Sequence, residues 1–231
     1  MKELPKSEIY EQEFEYMPWG ILINEILSII QKEAKQNGSV LDLMCGPGYL
    51  LGKIGEQRND LILSGLDINE EFINFAKNKY PVFSFQVVDI LSWNSDKKYD
   101  VILCTGGIHH LPCEKQASFL EKIPSILNPD GFVIFADPYI DDFSNETERK
   151  QAAAKLGYEY MVATIKNGAS DEVIKVTIDI LYNDVMGFEF KTSIKKLEPI
   201  FRKLFPCLEI KKTWPKIDSE YGDYYVIGKI K

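Results

Sequence analysis

The sequence predicts an α/β fold whose sheet is mostly parallel and covered by helices on both faces. Three observations predict it. Short apolar runs recur at 39–44, 61–66, 83–88, 99–104 and 131–136, stripes of helical period fall at 49–57, 70–79 and 114–127, and the first run breaks into a glycine turn. Parallel strands buried on both faces read as continuous apolar runs, and successive parallel strands need crossover connections, usually helices.

Each element follows from its residues. Residues 21–30 are apolar except for Asn24, Glu25 and Ser28, which fall on one side at helical spacing. They predict an amphipathic helix, too short and too polar to span a bilayer. The strand at 39–44 runs into Asp42, Cys45, Gly46, Pro47 and Gly48, the helix at 49–57 follows, and the strand at 61–66 delivers Asp67 just past Gly65-Leu66. A strand that breaks into a glycine turn, opens a helix and meets an acid after the next strand is built to hold a nucleoside-bearing ligand. The helix at 70–79 turns Phe72, Ile73 and Ala76 inward, and strands at 83–88, 99–104 and 131–136 complete the alternation, the last preceded by the helix at 114–127. After Asp137 about fifty residues rich in charge and helix formers pass before another clear strand. Within this insertion 148–157 reads as helix, while 173–182 suits strand or helix and is taken as a further helix or irregular lid. Ser193 caps a helix at 193–205 with the stripe Ile194, Leu197, Ile200, Phe201 and Leu204, Pro206 ends it, and strands at 208–214 and 223–229 close the chain.

A length of 231 residues suits one domain: an N-terminal helical lid segment at 1–37, a cofactor-binding core at 38–137, a substrate-side insertion at 138–192, and a final helix with two strands at 193–231. The formal charge of −8, from 35 acidic and 27 basic residues, argues against a nucleic-acid partner. Lys191, Lys195, Lys196, Arg202, Lys203, Lys211, Lys212 and Lys216 crowd one region and read as a solvated face. Cys45, Cys104, Cys113 and Cys207 lack zinc-type spacing, so no metal is expected. With no apolar signal core at the start, a cytoplasmic protein with free thiols and no membrane partner is expected. A dinucleotide site also places an acid after the second strand, but Gly46-Pro47-Gly48-Tyr49-Leu50-Leu51 lacks the third glycine of that fingerprint.

The chain resembles the class I S-adenosylmethionine-dependent methyltransferase family over most of residues 38–136 and the closing strands. The resemblance rests on Val40-Leu41-Asp42-Leu43-Met44-Cys45-Gly46-Pro47-Gly48, Gly65-Leu66-Asp67-Ile68, Val88-Asp89-Ile90, Tyr99-Asp100-Val101-Ile102 and Leu127-Asn128-Pro129-Asp130-Gly131-Phe132, in family order. It implies a Rossmann-like seven-stranded sheet with an antiparallel last strand and the ligand at the carboxyl ends of the strands. It implies S-adenosylmethionine as cofactor and S-adenosylhomocysteine as product, held by Asp42, Met44, Cys45, Gly46 and Gly48. Asp67 would accept from the ribose hydroxyls, Asp89 from the adenine amino group, Ile68 and Ile90 would flank the ring, and Thr105 would lie near the sulfonium. Met44 departs from the pattern by standing where the family turn usually has its first glycine.

The reaction so implied is in-line displacement, in which a base is needed only for an acceptor that holds its proton. His109 and His110, the only histidines in the chain, follow the fourth strand and are the candidate catalytic residues, or else cap the next helix. His109 is the favoured one, because Ile108 and Leu111 read as buried anchors. Tyr10, Phe14, Tyr16, Met17 and Trp19 form an aromatic segment expected to close over the ligands, with Pro138, Tyr139, Asp141 and Asp142 as the opposite wall; packing at the end of a core is the other reading. No Asn-Pro-Pro-Tyr type of motif is present, and Cys113 reads as structural, so a small-molecule acceptor is favoured over a macromolecular one. A protein that binds the cofactor in a regulatory or scaffolding role, without transfer, would carry the same binding blocks.

Overall fold

Apolar burial sorts the strands into one seven-stranded sheet of order β3-β2-β1-β4-β5-β7-β6. The computed structural model describes the backbone of residues 7–231 and the side chains of residues 12–231. The strands are β1 (Ser39–Leu43), β2 (Ile62–Asp67), β3 (Ser84–Val87), β4 (Tyr99–Thr105), β5 (Leu127–Tyr139), β6 (Cys207–Trp214) and β7 (Gly222–Lys229). The first five pair in parallel, and β7 runs antiparallel to both β5 and β6, as the resemblance implied. The helices are α1 (Ser7–Tyr16), α2 (Trp19–Glu33), α3 (Tyr49–Gln57), α4 (Glu70–Lys79), α5 (Cys113–Leu120), α6 (Glu146–Lys166), α7 (Asp171–Met186) and α8 (Ile194–Leu204).

Two apolar layers sandwich the sheet. On one face Leu22, Ile26 and Ile30 of α2 and Leu51 and Ile54 of α3 pack on Val40, Val101 and Ile134. On the other, Phe119 and Leu120 of α5 and Leu197 and Phe201 of α8 pack on Leu41, Ile102 and Phe135. Fully burying each such side chain stabilises the fold by about 1.5–3 kcal/mol before entropy is set against it. Local chemistry fixes the helix starts: Asn69, Asn145 and Ser193 accept the amides of Phe72, Glu148 and Lys196, satisfying donors that have no partner within the helix.

Several sequence expectations are corrected. The helix expected over 114–127 stops at Leu120; Pro124 has no amide proton to continue it, so 123–126 form a single 3-10 turn and β5 begins at Leu127, not 131. The insertion is helical throughout its middle, in keeping with the helix read at 148–157 and the helix favoured over a strand at 173–182: α6 and α7 form a hairpin, with α7 covering 173–182 and ending at left-handed Gly187. Lys191 does not belong to a solvated face. It is 3% exposed, whereas Lys195, Lys196, Arg202, Lys203 and Lys211 pair on the outside with Glu220, Asp142, Glu198, Glu121 and Glu25.

Asp100 locks the amino ends of three strands. Its carboxylate accepts the Ser39 amide at 2.8 Å, the Ser39 hydroxyl at 2.9 Å and the Asn128 side-chain amide at 2.6 Å, with Lys35 at 2.7 Å. Burial would raise its pKa, but Lys35, Ser39 and Asn128 outweigh it and hold the value at about 2, below the ordinary 3.8. A depressed carboxylate stabilises the fold fully above its unfolded pKa and loses that contribution as pH falls toward the folded value. Asp100→Ala is therefore expected to cost about 1.5–3 kcal/mol at neutral pH, with the difference from the parent shrinking between pH 4 and pH 2; urea unfolding at both ends of that window checks it.

Candidate active site

Strand pairing brings the loops after β1 and β4 side by side, since β1 and β4 are neighbours. The β1 turn is unusual in its backbone. Met44, Gly46 and Gly48 all have positive φ, at 62°, 53° and 79°. For methionine the left-handed region costs roughly 1 kcal/mol or more. Its side chain leaves the turn and packs across to the β4 loop, where a Cβ on Gly107 would lie 2.7 Å from Met44 Cε. The turn is pinned by Asp67 at the end of β2, whose two carboxylate oxygens accept the amides of Gly46 and Asn69, each at 2.8 Å. Burial raises the Asp67 pKa, and those amides oppose it.

Space above the turn is left open by Gly46, where an added Cβ would meet nothing within 4 Å. Beneath it Asp42 is 1% exposed with Oδ1 lacking any partner, and burial, reinforced by Asp67, pushes its pKa up. An open glycine with an unpaired buried carboxyl below is a cradle for a ligand that brings hydrogen-bond donors. The Cys45 thiol points away, against the position a Gly65 Cβ would take, so only the backbone of Cys45 faces the turn's open side. Asp89 is exposed and accepts the Leu91 amide at 2.9 Å; Ile68 is 68% exposed, whereas Ile90 is buried in the core with Leu43.

At the end of β4, Thr105 is half-buried and Gly106 turns left-handed at φ 61°. The next residues hang from one carboxylate, Asp137 of β5. It accepts the Ile108 amide at 2.9 Å through Oδ2 and bonds His109 Nδ1 through Oδ1 in a short contact. Because Asp137 is an acceptor there, Nδ1 carries a proton, and in the neutral ring Nε2 then holds a lone pair. His109 Nε2 faces Glu189 Oε2 at 3.7 Å. The ring of neighbouring His110 lies against His109 at 4.2 Å between centroids, tilted by 45°, with its outer edge exposed. Crowding on the inner side of its ring, with His109 beside it, pushes its pKa below the ordinary histidine value.

The insertion is stitched to this loop. The Phe190 amide donates to the His109 carbonyl at 2.6 Å, and Gln116 Nε2 donates to the Ile108, Leu111 and Phe190 carbonyls. Lys191 donates to both Asp184 oxygens at 2.8 Å and to Glu189 at 3.1 Å. Burial would lower the Lys191 pKa, but Asp184 and Glu189 outweigh it; burial would likewise raise that of Glu189, but the Lys191 ammonium beside it keeps it low. Donor atoms of His109, His110 and Glu189 lie within 4.8 Å of one another, the spacing a metal ion could bridge, though Lys191 already supplies positive charge at the same Glu189 oxygen.

The N-terminal residues cover both loops. Phe14 stacks on Tyr49, the first residue after the glycine turn, at 4.2 Å, and Trp19 reaches Gly106, where an added Cβ would lie 3.2 Å from Trp19 Cζ2 and 4.0 Å from His109 Cε1. Tyr16, Met17 and Trp19 also pack on Val173, Val176 and Tyr160 of the helical hairpin. The Tyr10 side chain lies outside the described residues. Tyr139 corrects the expected wall: it is fully buried, edge-on to Tyr224 at 5.8 Å, on the β5 face shared with Phe135. Asp141 and Asp142 are spent on Lys155 and Ser193. Asp137, Glu189 and Lys191 escaped sequence reasoning; only the position of Asp137 at a strand's carboxyl end signalled it.

A doubly covered sheet with a reversed β7 and a ligand cradle at the ends of β1 and β4 defines the class of protein. Residues 40–131 match the family model described as a methyltransferase domain. The carboxy-S-adenosyl-L-methionine synthase of Campylobacter lari is 32% identical over 186 residues, covering 77% of this chain and 78% of that protein. An uncharacterised methyltransferase of Bacillus mycoides is 28% identical over 55% of this chain and 59% of its own length, and against other curated relatives the match spans 33% to 59% of their length. Among solved structures, the plantazolicin methyltransferase BpumL, in complex with a triazolic desmethylPZN analog and SAH, shares the fold with a TM-score of 0.66 at 16% identity, over 97% of this chain and 90% of that one. The chain belongs to the class I S-adenosylmethionine-dependent methyltransferase family.

Removing the carboxylate that carries the β4 loop would leave the Ile108 amide and the His109 ring nitrogen without partners. Asp137→Ala is expected to lower stability by about 1–3 kcal/mol in urea unfolding.

Proposed function

We propose that the chain transfers the methyl group of S-adenosylmethionine to a small-molecule acceptor, with His109 taking the acceptor's proton. The observation that carries this reading is the His109 ring. Asp137 ties down its Nδ1, its Nε2 faces Glu189 Oε2 at 3.7 Å with a small exposed edge, and its Cε1 lies near Gly106, which Trp19 also approaches. When bound, the cofactor supplies a methyl group on a positively charged sulfur.

The chain's own residues hold and align. Gly46 and Gly48 keep the turn close enough for backbone contact, and unpaired Asp42 meets a donor such as the methionine ammonium. Asp67 already fixes the turn and offers its remaining lone pairs to the ribose hydroxyls. Asp89 and Ile68, on the exposed edge beyond β2 and β3, take the adenine; Ile90 supports that edge from the core, and Thr105 faces the transferred methyl. Phe14, Tyr16 and Trp19 roof the site and exclude water, which strengthens every polar contact beneath them. His110, neutral and at the mouth, contacts the acceptor or passes the proton outward. The helical hairpin, meeting the roof at Met17 and Trp19, shapes the acceptor side.

Two substitutions separate binding from chemistry. His109→Ala is expected to lower turnover about 100-fold or more while S-adenosylhomocysteine affinity in calorimetry stays within a factor of two or so. Unchanged turnover would remove His109 from the reaction. Asp67→Ala is expected to weaken S-adenosylhomocysteine binding by about 10- to 100-fold, because it loses both the ribose acceptor and the support of Gly46.

A further inference from the structure

His109 Nε2 and Glu189 Oε2 face each other at 3.7 Å, too far for a hydrogen bond to form between them. With the imidazole neutral both are acceptors: Nε2 because Asp137 engages the protonated Nδ1, and Glu189 because it is a carboxylate already held by Lys191. Two opposed lone pairs call for a donor with at least two protons between them. Each side chain keeps a small exposed edge, 11% for His109 and 12% for Glu189, so a small group can reach the gap.

We propose that this gap is an ammonium subsite, and that the methyl acceptor is a primary or secondary amine whose protonated nitrogen is clamped by Glu189 and His109 Nε2. This rests on the transfer reading above and narrows it. A nitrogen about 2.8–3.0 Å from both atoms completes both hydrogen bonds. A hydroxyl has one proton and satisfies one side only, leaving the other acceptor unpaired, and a carboxylate would face Glu189 as like charge. A divalent cation would need to sit beside the Lys191 ammonium, which lies 3.1 Å from the same oxygen, whereas an organic ammonium brings a single charge. Once clamped, the ammonium gives one proton to Nε2, forming imidazolium and a neutral amine, which turns about its remaining hydrogen bond to Glu189 to bring the freed lone pair onto the methyl carbon. The proton leaves His109 to water after transfer.

Glu189 thereby becomes a substrate-binding residue contributed by the insertion. The Lys191–Asp184 pair positions it, and the Phe190 amide fastens its neighbour to the His109 carbonyl.

The test uses the full chain saturated with S-adenosylhomocysteine and titrated calorimetrically with 2-phenylethylamine, 2-phenylethanol and zinc chloride. A second arm uses methyl-labelled cofactor with a metabolite extract, and mass spectrometry locates the label. Binding of the amine over the alcohol is expected, along with label on nitrogen. Glu189→Gln should raise KM for that amine about tenfold or more, and Glu189→Asp should recover part of it. Label on oxygen or carbon, equal binding of amine and alcohol, tight zinc binding without amine binding, or an unchanged KM in Glu189→Gln would overturn the proposal. If no labelled product forms although S-adenosylhomocysteine binds, the transfer reading fails by itself, and the amine-over-alcohol preference and its loss in Glu189→Gln still decide the subsite.

Discussion

The site depends on one carboxylate, Asp137, placed where the pairing of β4 with β5 ends. The ladder between β4 and β5 ends with the Gly106 amide donating to the Ala136 carbonyl. One residue further along β5 the Asp137 side chain takes over from the backbone and holds Ile108 and His109. The loop thus keeps strand-like order past the last ladder bond. A buried carboxylate is costly without donors, and here two donors from one loop satisfy it, so the loop and the acid stabilise only each other's placement. Everything that meets the loop inherits that order: Met44 from the glycine turn, Trp19 from the roof, and Phe190 from the insertion.

The insertion carries a buried ion cluster, Lys191 with Asp184 and Glu189, that is weak evidence for stability, because desolvating such groups offsets most of their attraction. Its consequence is geometric. Three charged side chains drawn from α7 and the segment after it admit few arrangements, and the one found sets Glu189 opposite His109. The helical hairpin and the β4 loop therefore share a fixed register, and the N-terminal aromatic segment meets both, with Trp19 against Gly106 and packed with Tyr160 of the hairpin.

The sequence shows the fold more fully than the site. Helices α3 and α4 begin and end where the periodicity placed them, and the strands lie within a few residues of expectation, because burial on two faces writes itself into local apolar runs. The 114–127 stretch misled because its apolar residues kept a helical period through Pro124. The glycine turn and Asp67 were legible as a set, since their spacing is short and their chemistry specific. His109 was visible as one of two histidines, but its partners were not. Asp137 lies 28 residues on and Glu189 80 residues on, and nothing local marks an acid that is apposed only by tertiary packing. Lys191 read as surface charge for the same reason, and Tyr139 read as a wall when its register on β5 turns it into the core.

The central claim is that Asp137 fixes the His109 ring with its proton on Nδ1 and its lone pair on Nε2. Nitrogen-15 NMR of histidine-labelled protein at about pH 8, above the ordinary histidine range, reads this directly. The account predicts a His109 signal pair with Nδ1 protonated and Nε2 bare, lost in Asp137→Asn. A His109 carrying its proton on Nε2 in the parent protein would contradict it.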